Sequence, residues 1–264
     1  MSLETTEAVV LKTFNWSESS RTVVLFTRDF GKLALVDKGG RRFNGRRGRL
    51  VPFARLEVTF YHSEKESNGY ISDINLVKAY SLEQEGSLGR LAFASAACEL
   101  LYQLLSERER QGGLYEYFVT FLGMIETVGK QALGPVFLTF FIRLLSFLGY
   151  HPSLAYCVSC GKGEAELVNG DGKLNFSAER GGMVCGSCKS VGDCYIPFSP
   201  ESHRLLLALQ SASLKQAAAL PVSYVETIRL LEALTKFVSY QADIKSELKS
   251  LAFLEKLKNS NSMS

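Results

Sequence analysis

The sequence predicts an α+β chain of more than one domain. A five-stranded β-barrel of OB-fold size comes first, and an α-helical domain with an inserted four-cysteine zinc ribbon follows. Three observations predict it. Up to residue 80 the apolar residues fall in short β-branched runs separated by turn residues. Beyond residue 80 they recur at helical spacing. Four of the six cysteines form two Cys-x-x-Cys pairs inside a loop-rich stretch, 153–196.

Glu7 to Phe14 (EAVVLKTF) is the first strand and Arg21 to Thr27 (RTVVLFT) the second. Asp29-Phe30-Gly31 turns the chain into a third, Lys32 to Val36. Leu56 to Tyr61 (LEVTFY) is the fourth. After a polar turn, Ser63 to Asn68, Gly69 to Val77 is the fifth. Five strands in about 80 residues match an OB-fold, a barrel that commonly binds single strands of nucleic acid.

Leu88 to Leu105 and Tyr115 to Ile125 then keep apolar residues on one helix face. A third helix has Pro135 in its first turn and runs Val136, Phe137, Phe140, Phe141, Leu144, Leu145, Leu148 before Gly149 stops it. These faces read as core. Helix returns at Ser199-Pro200-Glu201 with Ser199 as N-cap. A last helix opens at Ser223, with Glu226 completing a capping box. The polar tail 259–264 reads as disordered. The domains expected are therefore 1–80 and 81–258, the latter carrying the cysteine module 153–196.

With 46% hydrophobic and 22% charged residues and a net charge of +3, the composition is that of a soluble globular protein. The first ten residues include Glu4 and Glu7 and lack the basic start of an export signal. The most apolar stretch, Val136 to Leu148, is too short to cross a bilayer and contains Arg143. A cytoplasmic protein is expected, and paired thiols in a reducing cytosol point to metal or redox chemistry rather than disulfides.

Cys157-Val158-Ser159-Cys160-Gly161 and Cys185-Gly186-Ser187-Cys188 are matched knuckles. Between them lies a hairpin turn, Asn169 to Gly172, flanked by 166–168 and 173–176. Each knuckle aims two thiolates at one point, and the two together close a tetrahedron. One structural Zn2+ per chain is expected, because four thiolates leave no position for a reactive water. A thioredoxin-like redox site would need only one pair. His62-Ser63-Glu64 matches the H-x-E of zinc deaminases, but neither knuckle follows a proline and the second would be left without a role. Cys194 has no partner at knuckle spacing, and Cys98 reads as a small buried hydrophobe.

Between Lys38 and Arg55 stand seven basic residues and no acid: Lys38, Arg41, Arg42, Arg46, Arg47, Arg49 and Arg55. Four glycines make this a flexible loop between the third and fourth strands. Guanidinium forks match phosphate oxygens, so the loop reads as a binding surface for a nucleic-acid backbone. Phe43 within it is placed either to stack on a base or to anchor the loop. A bare solvated surface would intersperse signs. Membrane binding would need an accompanying apolar helix face.

In order, the motifs resemble the RecO family of bacterial DNA repair and recombination mediators. The N-terminal series is Glu7 to Lys12, Glu18 to Arg21, Leu25 to Arg28, Gly31 to Leu33 and Lys38 to Arg42. The C-terminal series is Gly149-Tyr150, Leu154, Cys157-x-x-Cys160-Gly161, Gly182-x-x-Cys185-x-x-Cys188 and Lys249 to Leu254. The resemblance covers nearly the whole chain. It implies an OB-fold followed by a helical domain with the zinc module, and no enzymatic activity. It implies binding of single- and double-stranded DNA, annealing of complementary strands, and loading of recombinase together with RecR and single-strand DNA-binding protein. It also implies a cytoplasmic, nucleoid-associated location. Lys38, Arg41 and Arg42 match the family's basic stretch, whereas Arg46, Arg47, Arg49 and Arg55 rest on charge alone. The alternative is a zinc-containing protein-interaction scaffold without a direct DNA role.

Overall fold

The computed structural model describes residues 2–15, 20–38, 50–62, 69–82, 88–170, 172–242, 249–250 and 252–253. The chain divides into two compact units, 1–127 and 128–264.

In the first unit, β1 (Ser2–Asn15), β2 (Arg21–Thr27), β3 (Gly31–Asp37), β4 (Arg55–His62) and β5 (Gly69–Lys78) form a closed barrel in the order β1-β2-β3-β5-β4. β1 closes it by pairing twice, with β4 through its first half and with β2 through its second. The two sets of partners require a long strand, and β1 begins five residues earlier than the β-branched run predicts. A register shift between Val10 and Lys12 bends it between the two pairings. Register partners followed once around the barrel lead from Phe14 through Thr22, Val36, Tyr70 and Tyr61 back to Leu3. This stagger along β1 is the shear that tilts the strands of a small barrel. The order, with β3 and β5 parallel, is that of the expected OB-fold.

Alternation fills the interior with Ala8, Val10, Val23, Leu25, Leu33, Leu35, Leu56, Val58 and Phe60. β2 is buried at every position, because its outer face is covered as well. The covering elements are α1 (Leu88–Leu104) and α2 (Gly112–Thr127). Phe26, pointing outward from β2, meets Tyr115 of α2 edge-on at 5.6 Å and Phe118 at 6.3 Å. The segment joining α1 to α2 lies against β3: Arg108 N–H donates to the Lys32 carbonyl at 3.0 Å. At Gly31, with φ of +65°, a Cβ would come within 2.0 Å of the Glu109 carbonyl oxygen. The change from strand to helix at residue 80 is thus not the change of compact unit. These helices bury their apolar faces on the barrel, and the second unit begins only at 128.

The second unit is built around α3 (Leu133–Phe147), whose residues are nearly all buried. α5 (Pro200–Ser211), α6 (Leu214–Ala217) and α7 (Tyr224–Gln241) surround it. At Gly134 a Cβ would meet the Thr227 hydroxyl oxygen at 2.5 Å, so α3 and α7 approach as only glycine permits. Gly149 ends α3 with φ of +82°, and Tyr150 N–H caps the Leu145 carbonyl at 2.8 Å. Ser199 caps α5 as expected. Ser223 caps α7 through Glu226 N–H, but the Glu226 carboxylate turns to Arg229. The complete capping box of this unit is Ser213 with Gln216, which opens α6.

Between α3 and α5 the cysteine module contributes a three-stranded sheet, β7-β6-β8, from β6 (Leu174–Ser177), β7 (Gly182–Val184) and β8 (Ile196–Phe198). The expected turn at Asn169 to Gly172 forms, with Asn169 N–H on the Lys173 carbonyl at 2.8 Å. Its first arm is not a strand, however. Glu164–Leu167 winds into the short helix α4, since Glu-Ala-Glu-Leu is a run of helix formers. β6 instead pairs with β8, which sequence reasoning left as loop. Phe176 joins the sheet to the helices, 5.6 Å from Phe198 and 6.1 Å from Phe237 of α7.

Candidate metal centre and nucleic-acid face

The first knuckle follows from its backbone. Cys157 N–H donates to the Lys162 carbonyl at 2.8 Å and Gly161 N–H to the Cys157 carbonyl at 2.9 Å. Gly161 takes φ of +75°, the left-handed turn that brings Cys160 back beside Cys157. In the second knuckle, Gly186–Cys188 is one turn of 3-10 helix, and Cys188 N–H bonds the Cys185 carbonyl at 3.0 Å. The knuckles are docked by Val158 N–H on the Met183 carbonyl at 2.9 Å. Gly182 lets this happen, because a Cβ there would lie 2.2 Å from the Ser153 carbonyl oxygen.

The result is that the sulfurs of Cys157, Cys160, Cys185 and Cys188 all lie within 4.8 Å of one another. The Cys160 and Cys185 sulfurs are 3.7 Å apart. Four sulfurs each ~2.3 Å from a tetrahedral ion stand about 3.8 Å apart, so the donor set fits a metal of zinc's size. Cys157 and Cys185 are buried, while Cys160 and Cys188 face outward.

Their acidities fit the same purpose. Burial raises the Cys157 thiol, but backbone N–H groups, that of Cys185 among them at 3.4 Å, outweigh it and bring the value down to about 6. The neighbouring thiols Cys160 and Cys185 push Cys188 up to about 12. The Ser187 hydroxyl helps to hold Cys185 low as well, so one thiol of each knuckle ionises readily while Cys160 and Cys188 are pushed up.

Arg180 braces the site, and sequence reasoning did not single it out. Its guanidinium donates to the Cys188 carbonyl at 3.0 Å, to the Ser159 hydroxyl at 3.3 Å and to the Ser190 hydroxyl at 2.7 Å, and it pairs with Asp193 at 2.6 Å. One planar fork thereby ties both knuckle loops to the turn after them. An arginine in a Glu-Arg-Gly-Gly turn carries no sequence signal for that role. Cys194 is exposed and outside the cluster. Cys98 is buried in α1, and burial pushes its thiol up. The deaminase pattern falls on His62 to Glu64, of which Ser63 and Glu64 lie outside the described residues.

The basic stretch is only partly described. Arg41, Arg42, Arg46, Arg47 and Arg49 lie outside the described residues, as does Phe43. Lys38 is exposed and holds its ammonium 3.9 Å from the ring centre of Tyr70 on β5. Arg55, the other described member of the stretch, has an acid partner. It sits at the start of β4 opposite Lys78, at the other end of β5 from Tyr70. Two of its nitrogens bond the Glu7 carboxylate, at 3.0 and 2.5 Å. That hydrogen bond raises its pKa. Charge counting along the sequence could not see Glu7, 48 residues away, arriving from β1. Elsewhere on the barrel, Lys12 lies over the rings of Phe14 and Tyr102 at 4.8 and 4.6 Å, and Lys32 donates to the Tyr102 carbonyl at 2.8 Å. Among the described residues no helix is long and apolar enough to cross a membrane.

Two family models account for almost all of the chain: recombination protein O N terminal over residues 1–80 and recombination protein O C terminal over residues 85–252. A DNA repair protein RecO from Symbiobacterium thermophilum is 30% identical over 264 residues, 98% of this chain and 99% of its own. Proteins of that name from Caldanaerobacter subterraneus and from a Nocardioides species are also 30% identical, over 96% and 95% of this chain and 97% and 98% of theirs. Both halves of the chain thus match one lineage, and the chain belongs to the RecO family of DNA repair proteins.

Proposed function

We propose that this chain is a non-enzymatic mediator of DNA repair and homologous recombination. It binds single- and double-stranded DNA, anneals complementary strands, and helps load recombinase onto DNA coated with single-strand DNA-binding protein, with RecR as a further partner. It does this in the cytoplasm, on the nucleoid. The observation that supports the reading is the closed barrel whose β3 leads, at Lys38, into an acid-free stretch carrying Arg41, Arg42, Arg46, Arg47 and Arg49.

No bond needs to be made or broken. Annealing is slow because two polyanions must approach. A cationic surface that neutralises one strand lowers the repulsion met by the second. Arg55, at the far end of the stretch and paired with Glu7, belongs to the same proposed set.

The ion we assign to Cys157, Cys160, Cys185 and Cys188 is zinc, one per chain. An all-thiolate tetrahedral set suits it, and with no open position its part is to hold the module together.

A salt titration of affinity for single-stranded DNA tests the reading. Replacing Arg41, Arg42, Arg46 and Arg47 by Ala is expected to weaken binding and flatten the slope of log K against log salt by up to about 3. Unchanged affinity and slope would remove the basic stretch from the interface.

A further inference from the structure

The outer face of the barrel carries an aromatic strip that charge counting does not reveal. Tyr61 on β4 and Tyr70 on β5 are register partners. Both belong to the outward-facing row, since their neighbours Phe60 and Ile71 point into the core. Side chains so paired stand about 5 Å apart at Cβ. Tyr61 is 44% exposed, although a tyrosine ring leaving water would stabilise the fold.

Followed across the sheet, the same row is interrupted by the buried Val36 and Thr22 before it reaches Phe14, which is 37% exposed. The span from Tyr70 to Phe14 is three strand spacings, roughly 14 Å. A cation stands over each end: Lys38 over Tyr70 at 3.9 Å and Lys12 over Phe14 at 4.8 Å. Among the described residues the acids of this face on β4, β5 and the facing stretch of β1 are Asp73, Glu57 and Glu7; they lie in rows further from the β5 start, and Glu7 is paired with Arg55. The end of β4, the start of β5 and the end of β3, where the basic stretch begins, all meet at Tyr61 and Tyr70.

We infer that Tyr61 and Tyr70 form a base-stacking platform for single-stranded nucleic acid, with Lys38 placed for its phosphates. The inference rests on the DNA-binding reading above and names the state of the DNA that this face selects. Rings stack on the faces of bases, and in a duplex those faces are already stacked on one another. Phosphate-directed cations bind either form, but the strip gains only from an unpaired strand. The platform therefore supplies a preference for single strands that the basic stretch alone does not. A protein partner would use the rings as an apolar patch and would have to desolvate the Lys38 ammonium, whereas a nucleic-acid strand matches ring and cation together.

The experiment compares the full chain with the Tyr61→Leu/Tyr70→Leu variant on three probes of equal length: an oligothymidylate, a single strand of abasic residues, and a duplex. The variant is expected to lose about tenfold or more in affinity for the oligothymidylate. Affinity for the abasic strand and the duplex, and the salt slope on all three, should hold. Tyr61→Phe/Tyr70→Phe, which keeps the rings, should bind like the parent. An equal loss on all three probes would overturn the platform, since a disturbed barrel or lost charge acts on phosphates alike. No loss on any probe would overturn it too and leave DNA binding standing. If the parent chain binds none of the three, the DNA-binding reading itself falls and the platform with it.

Discussion

Single side chains set the terms on which each unit holds together. Arg21 and Asp37 face each other across β2 and β3 at 3.1 Å, and both are buried in the barrel. Asp37→Ala would strand a guanidinium in the interior, and the cost expected is about 3–5 kcal/mol, read from chemical denaturation of the full chain. A loss below 1 kcal/mol would mean that the pair is open to water. Glu126 gives a pH signature. Burial pushes its carboxyl up, but Lys78 at 2.6 Å and Ser81 N–H at 2.8 Å outweigh it and hold the value below 4.5. A depressed folded value means stability that is present at neutral pH and fades as the pH falls through the range below 4.5. Glu126→Gln should lower stability modestly at neutral pH, with the difference vanishing in acid; a difference that persists in acid would show the effect to be packing. At the cysteine cluster, Cys185→Ser should cut the metal bound from about one per chain to a small fraction. It should also lower the thermal midpoint while DNA affinity, carried by the barrel, falls far less. Metal analysis beside a binding titration decides between that outcome and a joint loss.

Among the elements, close approach does much of the work. Gly134→Val would push a side chain into Thr227 and force α3 from α7, at an expected cost of about 1–3 kcal/mol in a denaturation curve. Stability equal to the parent would show that α7 can move aside without loss.

The elements also show what the sequence makes legible. The five barrel strands and the four long helices 88–104, 112–127, 133–147 and 224–241 were readable because period-2 and period-3.6 burial leaves a pattern in apolar residues alone. The knuckles were readable because ligand spacing is local. Most of what the sequence hides has one physical cause, contacts made from afar. Ile196–Phe198 is a strand because β6 lies beside it, not because three residues carry a signal. Glu164–Leu167 follows its own helix propensity where a ribbon arm was expected. Arg55 reads as a free cation until β1 brings Glu7 to it. Tyr61 and Tyr70 lie in separate runs, and only barrel register makes them neighbours.

At the scale of the whole molecule, the chain separates its tasks. The barrel unit, 1–127, carries the face that we assign to DNA, and the unit 128–264 carries the four-cysteine cluster to which we assign a structural metal. A mediator built this way acts by bringing charged strands together, so its activity should be steeply sensitive to salt and independent of any bond-breaking step. The most direct test is the annealing rate of two complementary oligonucleotides coated with the cognate single-strand DNA-binding protein, measured with and without the chain. Faster annealing of coated strands is the predicted result. If naked strands anneal faster and coated ones do not, DNA binding stands and the partnership with the coat protein fails. If neither pair anneals faster, the barrel is not an annealing surface and the central claim is contradicted.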